Sequence, residues 1–255
     1  MSTRPRWSYV QARLQARHGG RLDEDAWRAL EAARSIEEYL ERARATALRR
    51  FVEALAPRMA SHGIERMLRA AWRGYVAEVA SWVAPPWQPA VRSTAYLPDL
   101  ALIDALRDGN APAWARQDPA LAALCEAAPE RAARLAKSPL AQLVTADARP
   151  PAGRWLAAWQ AAWPARSAAE RRSLDTLIRI AASHFEQLAS ASPQDRSAPY
   201  RRDLATALAR AFRRAAATPA AVFCHLALVA LDLERLRGGL VRRRLFGPDH
   251  AREAA

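Results

Sequence analysis

Cysteine and glycine are both scarce in this chain of 255 residues, and their scarcity excludes several kinds of site. The two cysteines, Cys125 and Cys224, lie far apart, and neither belongs to a Cys-x-x-Cys pair, so the usual ligand spacing of metal and redox sites is absent. We expect both to be buried thiols in a reducing compartment. The nine glycines form neither a Walker-type nor a dinucleotide-binding pattern, and nucleotide binding is therefore not expected.

Groups that commonly catalyse reactions are also not gathered along the sequence. The histidines occur singly, at positions 18, 62, 184, 225 and 250, and none has the His-x-x-x-His spacing of a zinc site. Acidic runs such as Glu37-Glu38 are better interpreted as helix-dipole partners on a solvated face than as catalytic pairs. The Ser183-His184 pair lacks the glycine-framed turn of a nucleophile elbow. We therefore predict no catalytic residue, cofactor, metal or small-molecule substrate, and keep an enzyme site assembled from scattered residues as an alternative.

Valine, isoleucine and threonine are sparse, and no segment alternates apolar and polar residues as a strand would. Apolar residues instead recur every three or four positions, most regularly from Ile64 to Val83. The predicted fold class is all-α: a multi-helix bundle or funnel of amphipathic helices with proline-rich breaks. Prolines are densest between residues 110 and 153, which predicts an N-terminal helical subdomain (1–109), a linker of short helices (110–153) and a C-terminal helical subdomain (154–255).

Two predicted helices have distinctive ends or seams, and one segment has regularly spaced tryptophans. A second helix is predicted to begin at a cap on Asp23 and to end or kink at Pro57. A last helix begins at Pro219 and carries a heptad-like seam of apolar residues, although Gly238-Gly239 weakens its helix propensity. The tryptophans of the third segment recur every four residues and are predicted to pack in the core; they are Trp155, Trp159 and Trp163.

Long apolar runs are absent too. The basic N-terminus is followed by further arginines, so no export signal is evident. The most apolar stretch, from Pro219 to Leu231, is too short to span a bilayer. We expect a cytoplasmic protein.

Lysine occurs only at position 137, so the formal net charge of +13 comes almost entirely from arginine. A basic balance of this size is typical of proteins that bind nucleic acids or acidic membrane surfaces. Many arginines, however, lie one helical turn from Glu or Asp, where they can pair on a solvated face. We favour that interpretation over a nucleic-acid footprint. The basic helical nucleic-acid-associated protein remains the alternative, on the arginines at 201, 202, 210, 213, 214, 237 and 242 to 244.

Two stretches resemble the d/C subunit family of V-type and A-type rotary ATPases. The first contains Tyr9-Val-Gln-Ala-Arg13-Leu-Gln-Ala-Arg17, Trp27-Arg-Ala-Leu30-Glu-Ala-Ala and Ser35-Ile-Glu-Glu-Tyr39-Leu40-Glu. The second is Leu231-Asp-Leu-Glu234-Arg-Leu236-Arg237-Gly238, which is similar to the late signature of the family. Together these matches cover about a third of the chain, and Arg235 stands at the asparagine position of the family.

The resemblance implies an all-helical funnel that sits on the membrane-embedded rotor ring and receives the central shaft. Such a subunit performs no chemistry and couples the soluble and membrane sectors of a proton- or sodium-translocating ATPase. It implies protein partners (the rotor ring or the shaft) and a cytoplasmic location, peripheral to the inner membrane through those partners. The candidate partner-binding residues are Arg13, Arg17, Arg235, Arg237, Arg242, Arg243 and Arg244.

Overall fold

The computed structural model of the chain describes residues 4–107, 110, 112–126, 128–135, 139–144, 149–190 and 198–246. Within these ranges the protein consists of helices, turns and loops without a strand, which confirms the predicted all-α class. The α-helices are α1 (Arg4–Gly19), α2 (Glu24–Glu31), α3 (Ile36–Arg44), α4 (Arg49–Val52), α5 (Ser61–Trp82), α6 (Gln88–Ser93), α7 (Leu100–Arg107), α8 (Ala128–Leu135), α9 (Pro151–Ala161), α10 (Ala168–Ser190), α11 (Ala198–Arg214) and α12 (Pro219–Phe246). Short 3-10 helices lie at Pro85–Trp87, Thr94–Asp99, Ala113–Gln117, Ala122–Cys125 and Pro139–Gln142.

The longest helix, α12, is the centre of the fold. Its first half is buried on nearly all sides, as expected of a helix inside a protein core. Helices α10 and α11 pack against it, and so do α1, α3 and α5 from the other end of the chain. The predicted seam is confirmed, because its six apolar residues are all buried; they are Val222, Leu226, Val229, Leu233, Leu236 and Leu240. The division into three subdomains stays a prediction, and one continuous core joins residues from the first and last of them.

The single second helix predicted from Asp23 to Pro57 is wrong, because three separate helices, α2, α3 and α4, occupy this segment. The predicted cap is confirmed: the Asp23 carboxylate accepts a hydrogen bond from a backbone N–H in the first turn of α2. The break has a local cause. The Ser35 hydroxyl accepts a hydrogen bond from the N–H of Glu38 at 3.2 Å, and this cap starts a new helix at Ile36.

The three tryptophans predicted to pack in the core do so. Trp155 and Trp159 stack with centroids 5.4 Å apart, and Trp163 meets Trp159 edge-on at 4.7 Å. Phe223 of α12 also meets Trp159 edge-on, at 4.8 Å. All three tryptophans are buried. This aromatic cluster fixes α9 against the central helix.

A chain of alternating charges connects α5 to the segments that follow it. Asp99, almost fully buried, receives both Arg69 and Arg73 of α5, and the distance from Arg73 to Asp99 is 3.0 Å. Arg73 also reaches the buried Asp118 at 2.7 Å. Glu65 lies 3.7 Å from Arg69 on the same face of α5. Each buried carboxylate thus has a guanidinium partner, which is the condition for burying charge without a large penalty.

Candidate partner-binding surface

The two candidate arginines of α1 are exposed but engaged with neighbours. The guanidinium of Arg13 lies 5.3 Å from the ring centroid of Tyr9 and 5.0 Å from that of Trp82, within the range of cation–π attraction. Arg17 forms a 3.0 Å ion pair with Glu78 of α5. These contacts join α1 to α5.

Arg235 connects the two ends of the chain. Its guanidinium donates hydrogen bonds to both Glu24 and Glu31 of α2, at 2.6 to 2.9 Å, and lies 4.7 Å from the centroid of the Trp27 ring. The hydrogen bonds to Glu31 and Glu24 raise the pKa of Arg235. Because the Arg235 guanidinium already binds two carboxylates of α2, its role within the fold is to hold α12 against α2.

Arg243 is the one member of the 242–244 run that is buried. It donates to the backbone carbonyls of Glu31, Ala33 and Gly239 at 2.7 to 3.0 Å, and its guanidinium lies 4.0 Å from the centroid of the Tyr39 ring. The last backbone carbonyls of a helix have no hydrogen-bond donor within that helix. Arg243 supplies this donor at the end of α2.

The remaining candidates of α12 differ from one another. Arg237 forms a 2.5 Å ion pair with Glu65 and so extends the charge network of α5. Arg244 is half-buried. Arg242 is exposed and makes no ion pair within the described part of the chain. Five of the seven candidates, Arg13, Arg17, Arg235, Arg237 and Arg243, therefore contact other elements of the same chain.

A second group of arginines lies on the outward faces of α10 and α11. Seven exposed arginines there make no ion pair with any residue that the structure describes. We call this set the α10–α11 arginine surface; its members are Arg171, Arg172 and Arg179 of α10 and Arg202, Arg210, Arg213 and Arg214 of α11. At 100° per residue each set falls on one side of its helix, opposite the buried side. Helices α10 and α11 pack on each other and on α12, so the two sets of arginines belong to neighbouring helices.

The sequence led us to expect that most arginines pair with acidic residues one helical turn away. Such pairs are found mainly outside α10 and α11. Examples there are Arg42 with Glu38 and Arg49 with Glu53, both one helical turn apart. On the α10–α11 surface the exposed acidic residues are Asp175, Glu186 and Asp203, against seven arginines. Four members, at 202, 210, 213 and 214, were among the arginines of the nucleic-acid alternative, and the three of α10 were missed. A helical wheel of residues 168–190 would have found them.

A polar pair lies inside the apolar core between α5 and α12. The Tyr75 hydroxyl and Nε2 of His225 are 2.6 Å apart, and burial raises the pKa of Tyr75 to about 12. The side chain of His225 is fully buried, and burial lowers its pKa to about 3, so the ring is neutral at physiological pH. The His18 ring stacks on Phe212 and lies 6.4 Å from His225. These groups hold the helices together as hydrogen-bond and stacking partners.

Other expected features divide between the described and undescribed parts of the chain. Cys224 is buried as expected, and burial raises its pKa to about 12, whereas Cys125 is only half-buried. His250 lies outside the described residues. Among those described, no three His, Cys, Asp or Glu side chains are grouped as metal ligands, and no helix has both the length and the apolar character needed to cross a membrane.

Comparison with known proteins gives no relative from which a function could be transferred. No protein-family model matches the chain, and no curated protein or solved structure is significantly similar to it.

Proposed function

We propose that this chain is a non-catalytic helical adaptor that works by binding other proteins. The observation that carries the proposal is the α10–α11 arginine surface, where seven exposed guanidinium groups have no acidic partner in the described chain. Arginine is enriched at protein interfaces because its planar fork binds carboxylates in pairs of hydrogen bonds. An acidic protein surface would complement this face and steer association.

The resemblance of the two terminal stretches suggests which assembly the adaptor joins. In this proposal it is a central-stalk subunit of a V/A-type ion-translocating ATPase, at the cytoplasmic side of the membrane, coupling the rotor ring and the shaft. A coupling subunit must be stiff, and close-packed helices give stiffness. The Arg235 bonds to α2 support this role, since they join the two ends of the chain, and the ion pairs of α5 tie the segments that follow it to the same core.

The test is co-purification from native membranes with the tagged full-length chain, followed by identification of the proteins recovered. We expect rotary ATPase subunits, and their loss in the variant Arg202→Glu/Arg213→Glu. The control Arg49→Glu/Arg58→Glu makes the same change of charge at exposed arginines of the N-terminal half and should retain them. Recovery without any ATPase subunit would exclude that assembly, and equal recovery with both variants would exclude the arginine surface as the contact.

The same surface favours nucleic-acid binding as a second candidate function. Guanidinium groups spaced along two adjoining helices can contact phosphates without reading bases. On duplex DNA, each phosphate neutralised should contribute about 0.9 to the slope of log affinity against log salt concentration. A slope of roughly 4 or more, reduced by Arg202→Glu/Arg213→Glu, would support this candidate. No binding at low salt would remove it.

A further inference from the structure

A cleft of about 550 Å³ lies on the opposite flank of α12 from its core-facing seam, bounded by α2 and the N-terminus of α11. Its lining includes Arg28 and Glu31 of α2, Arg201 of α11, and Arg235 and Arg242 of α12. None of the seven residues of the α10–α11 arginine surface lines it. The cleft is therefore distinct from that surface, although Arg202 of the surface acts electrostatically on Glu24, which bonds Arg235 of the lining.

The floor of the cleft is one face of α12. Glu234, Gly238, Arg242 and Leu245 follow one another at steps of four, four and three residues, so they lie in a row along the helix. Gly238 leaves the middle of this row open: a Cβ at this position would meet no atom within 4 Å. From Glu234 to Leu245 the row is roughly 17 Å long, at 1.5 Å per residue.

The walls carry more guanidinium groups than carboxylates. In the bonds that the structure shows, Arg28 and Arg201 each use a single Nη atom, toward Asp25 and Glu234 respectively. Arg242 has no ion pair within the described part of the chain. Charge-assisted donors therefore remain for an anionic group that enters the cleft.

Leu245, at the far end of the row, and Phe246 next to it form an apolar end of α12 that is exposed to solvent, just beyond the residues that line the cleft. Leu245 is 43% exposed and Phe246 is 82% exposed. Only one other large apolar side chain of the described residues is comparably exposed, Tyr9 at 54%. Covering Leu245 and Phe246 would remove apolar surface from water, which is favourable.

We infer that this cleft binds an acidic, amphipathic helix of a partner protein, with its carboxylates toward Arg28, Arg201 and Arg242 and its apolar residues on Leu245 and Phe246. The arginines favour a ligand with an acidic face. The exposed Leu245 and Phe246 favour a ligand that also has apolar groups, which a polyphosphate lacks. Helix-in-groove binding of this kind uses anchors at one-turn spacing, which is also the spacing of the α12 row. The inference goes beyond the proposed function and does not depend on which complex the chain joins.

The probe is a synthetic helix-forming peptide of about 15 residues, the length at which an isolated helix begins to form in water, with leucine on one face and glutamate on the other. Its binding to the full chain is measured by fluorescence anisotropy. Gly238→Leu should weaken binding at least tenfold, because the new side chain fills the open floor. Gly74→Leu is the matched control, since Gly74 is an exposed helical glycine of α5 with no atom within 4 Å of a Cβ, and it should bind as the parent does.

Two further variants separate the charged cleft from the apolar end of α12 beside it. Arg242→Ala should weaken the acidic peptide about tenfold and leave an analogue with glutamine in place of glutamate unchanged. Leu245→Ser/Phe246→Ser should weaken both peptides. Equal affinity for the two peptides, or unchanged affinity in Gly238→Leu, would overturn the inference, as would tighter binding of a single-stranded DNA of the same length. Arg210→Glu/Arg214→Glu, which reverses charge on the α10–α11 arginine surface away from the cleft lining, should not affect this assay, so failure here and failure of the proposed function are distinguishable.

Discussion

Gly239 of α12 packs directly on the ring of Tyr39 of α3, with no room for a side chain between them. A Cβ atom at position 239 would lie 2.6 Å from Cζ of Tyr39 and would overlap its hydroxyl oxygen. Tyr39 is fully buried, so its rigid ring has nowhere to move. The close crossing of α12 and α3 therefore requires glycine at this position.

The two adjacent glycines of α12 should respond in opposite directions to the same substitution. Gly239→Ala forces an overlap in a packed core, and we expect it to lower the free energy of unfolding by about 1–3 kcal/mol. Gly238→Ala adds a methyl group in open space and should raise the free energy of unfolding by about 0.5–1 kcal/mol, through helix propensity. Urea titrations followed by circular dichroism would measure both. A loss of stability in Gly238→Ala would contradict this account.

The sequence predicts the buried seam of α12 but not the reason for its glycines. Periodicity is a local property, and six seam residues spaced by four and three are all buried as predicted. The contact between Gly239 and Tyr39 joins residues 200 positions apart, so no local pattern shows it. In the sequence, the two glycines only indicate a segment of low helix propensity. In the fold, the missing side chain of Gly239 allows α3 to pack closely against α12.

Arg243 should be far more important for stability than its neighbour Arg242. Replacing Arg243 with alanine leaves backbone carbonyls near the end of α2 without their charged donor, and we expect a loss of about 3 kcal/mol in the free energy of unfolding. Lysine should restore only part of it, because a single ammonium cannot reproduce the guanidinium fork. Arg242→Ala, at an exposed position, should change stability by no more than about 0.5 kcal/mol. Thermal melts of the three variants would test the ranking, and equal losses at 242 and 243 would contradict it.

The candidate surface could be foreseen only in part. That the arginines of α11 face solvent follows from helical periodicity. Which arginines are already paired does not, because Arg21 with Asp232 and Arg235 with Glu24 connect opposite ends of the chain. The break before α3 was visible in principle, since Ser35 and Glu38 have the spacing of a helix cap. The apolar residues, however, recur at helical spacing on both sides of Ser35, which favours a single continuous helix over two.

Asp99 should be the most sensitive acidic residue of the charge network. It is 1% exposed and receives two guanidinium groups, so Asp99→Ala leaves Arg69 and Arg73 without this partner inside the protein. We expect a loss of about 3–5 kcal/mol in the free energy of unfolding, as for other broken buried pairs. Glu53→Ala breaks an exposed pair with Arg49 and should cost no more than about 0.5 kcal/mol. Urea denaturation would compare them, and similar midpoints for the two variants would show that the network contributes little.

His225 should make the protein less stable as the pH falls below neutrality. Its pKa is about 3 in the folded protein and near the ordinary histidine value of 6.5 in the unfolded chain, so between these values only the unfolded chain binds the proton. The contribution of His225 is therefore fully present above pH 6.5 and declines as the pH falls toward 3, by roughly 1.4 kcal/mol per pH unit.

Urea midpoints between pH 7.5 and pH 5, where most carboxylates stay ionised, would measure this decline. His225→Gln retains a hydrogen-bonding side chain beside the Tyr75 hydroxyl but does not titrate, so its midpoint should fall less steeply over the same range. A smaller slope should remain in that variant, because burial also lowers the pKa of His18 and of His184. His62→Gln, at an exposed position, serves as the control and should follow the parent. If His225→Gln and the parent lose stability in parallel, the pKa of His225 does not differ between the folded and unfolded chain, and its burial contributes nothing to the pH dependence.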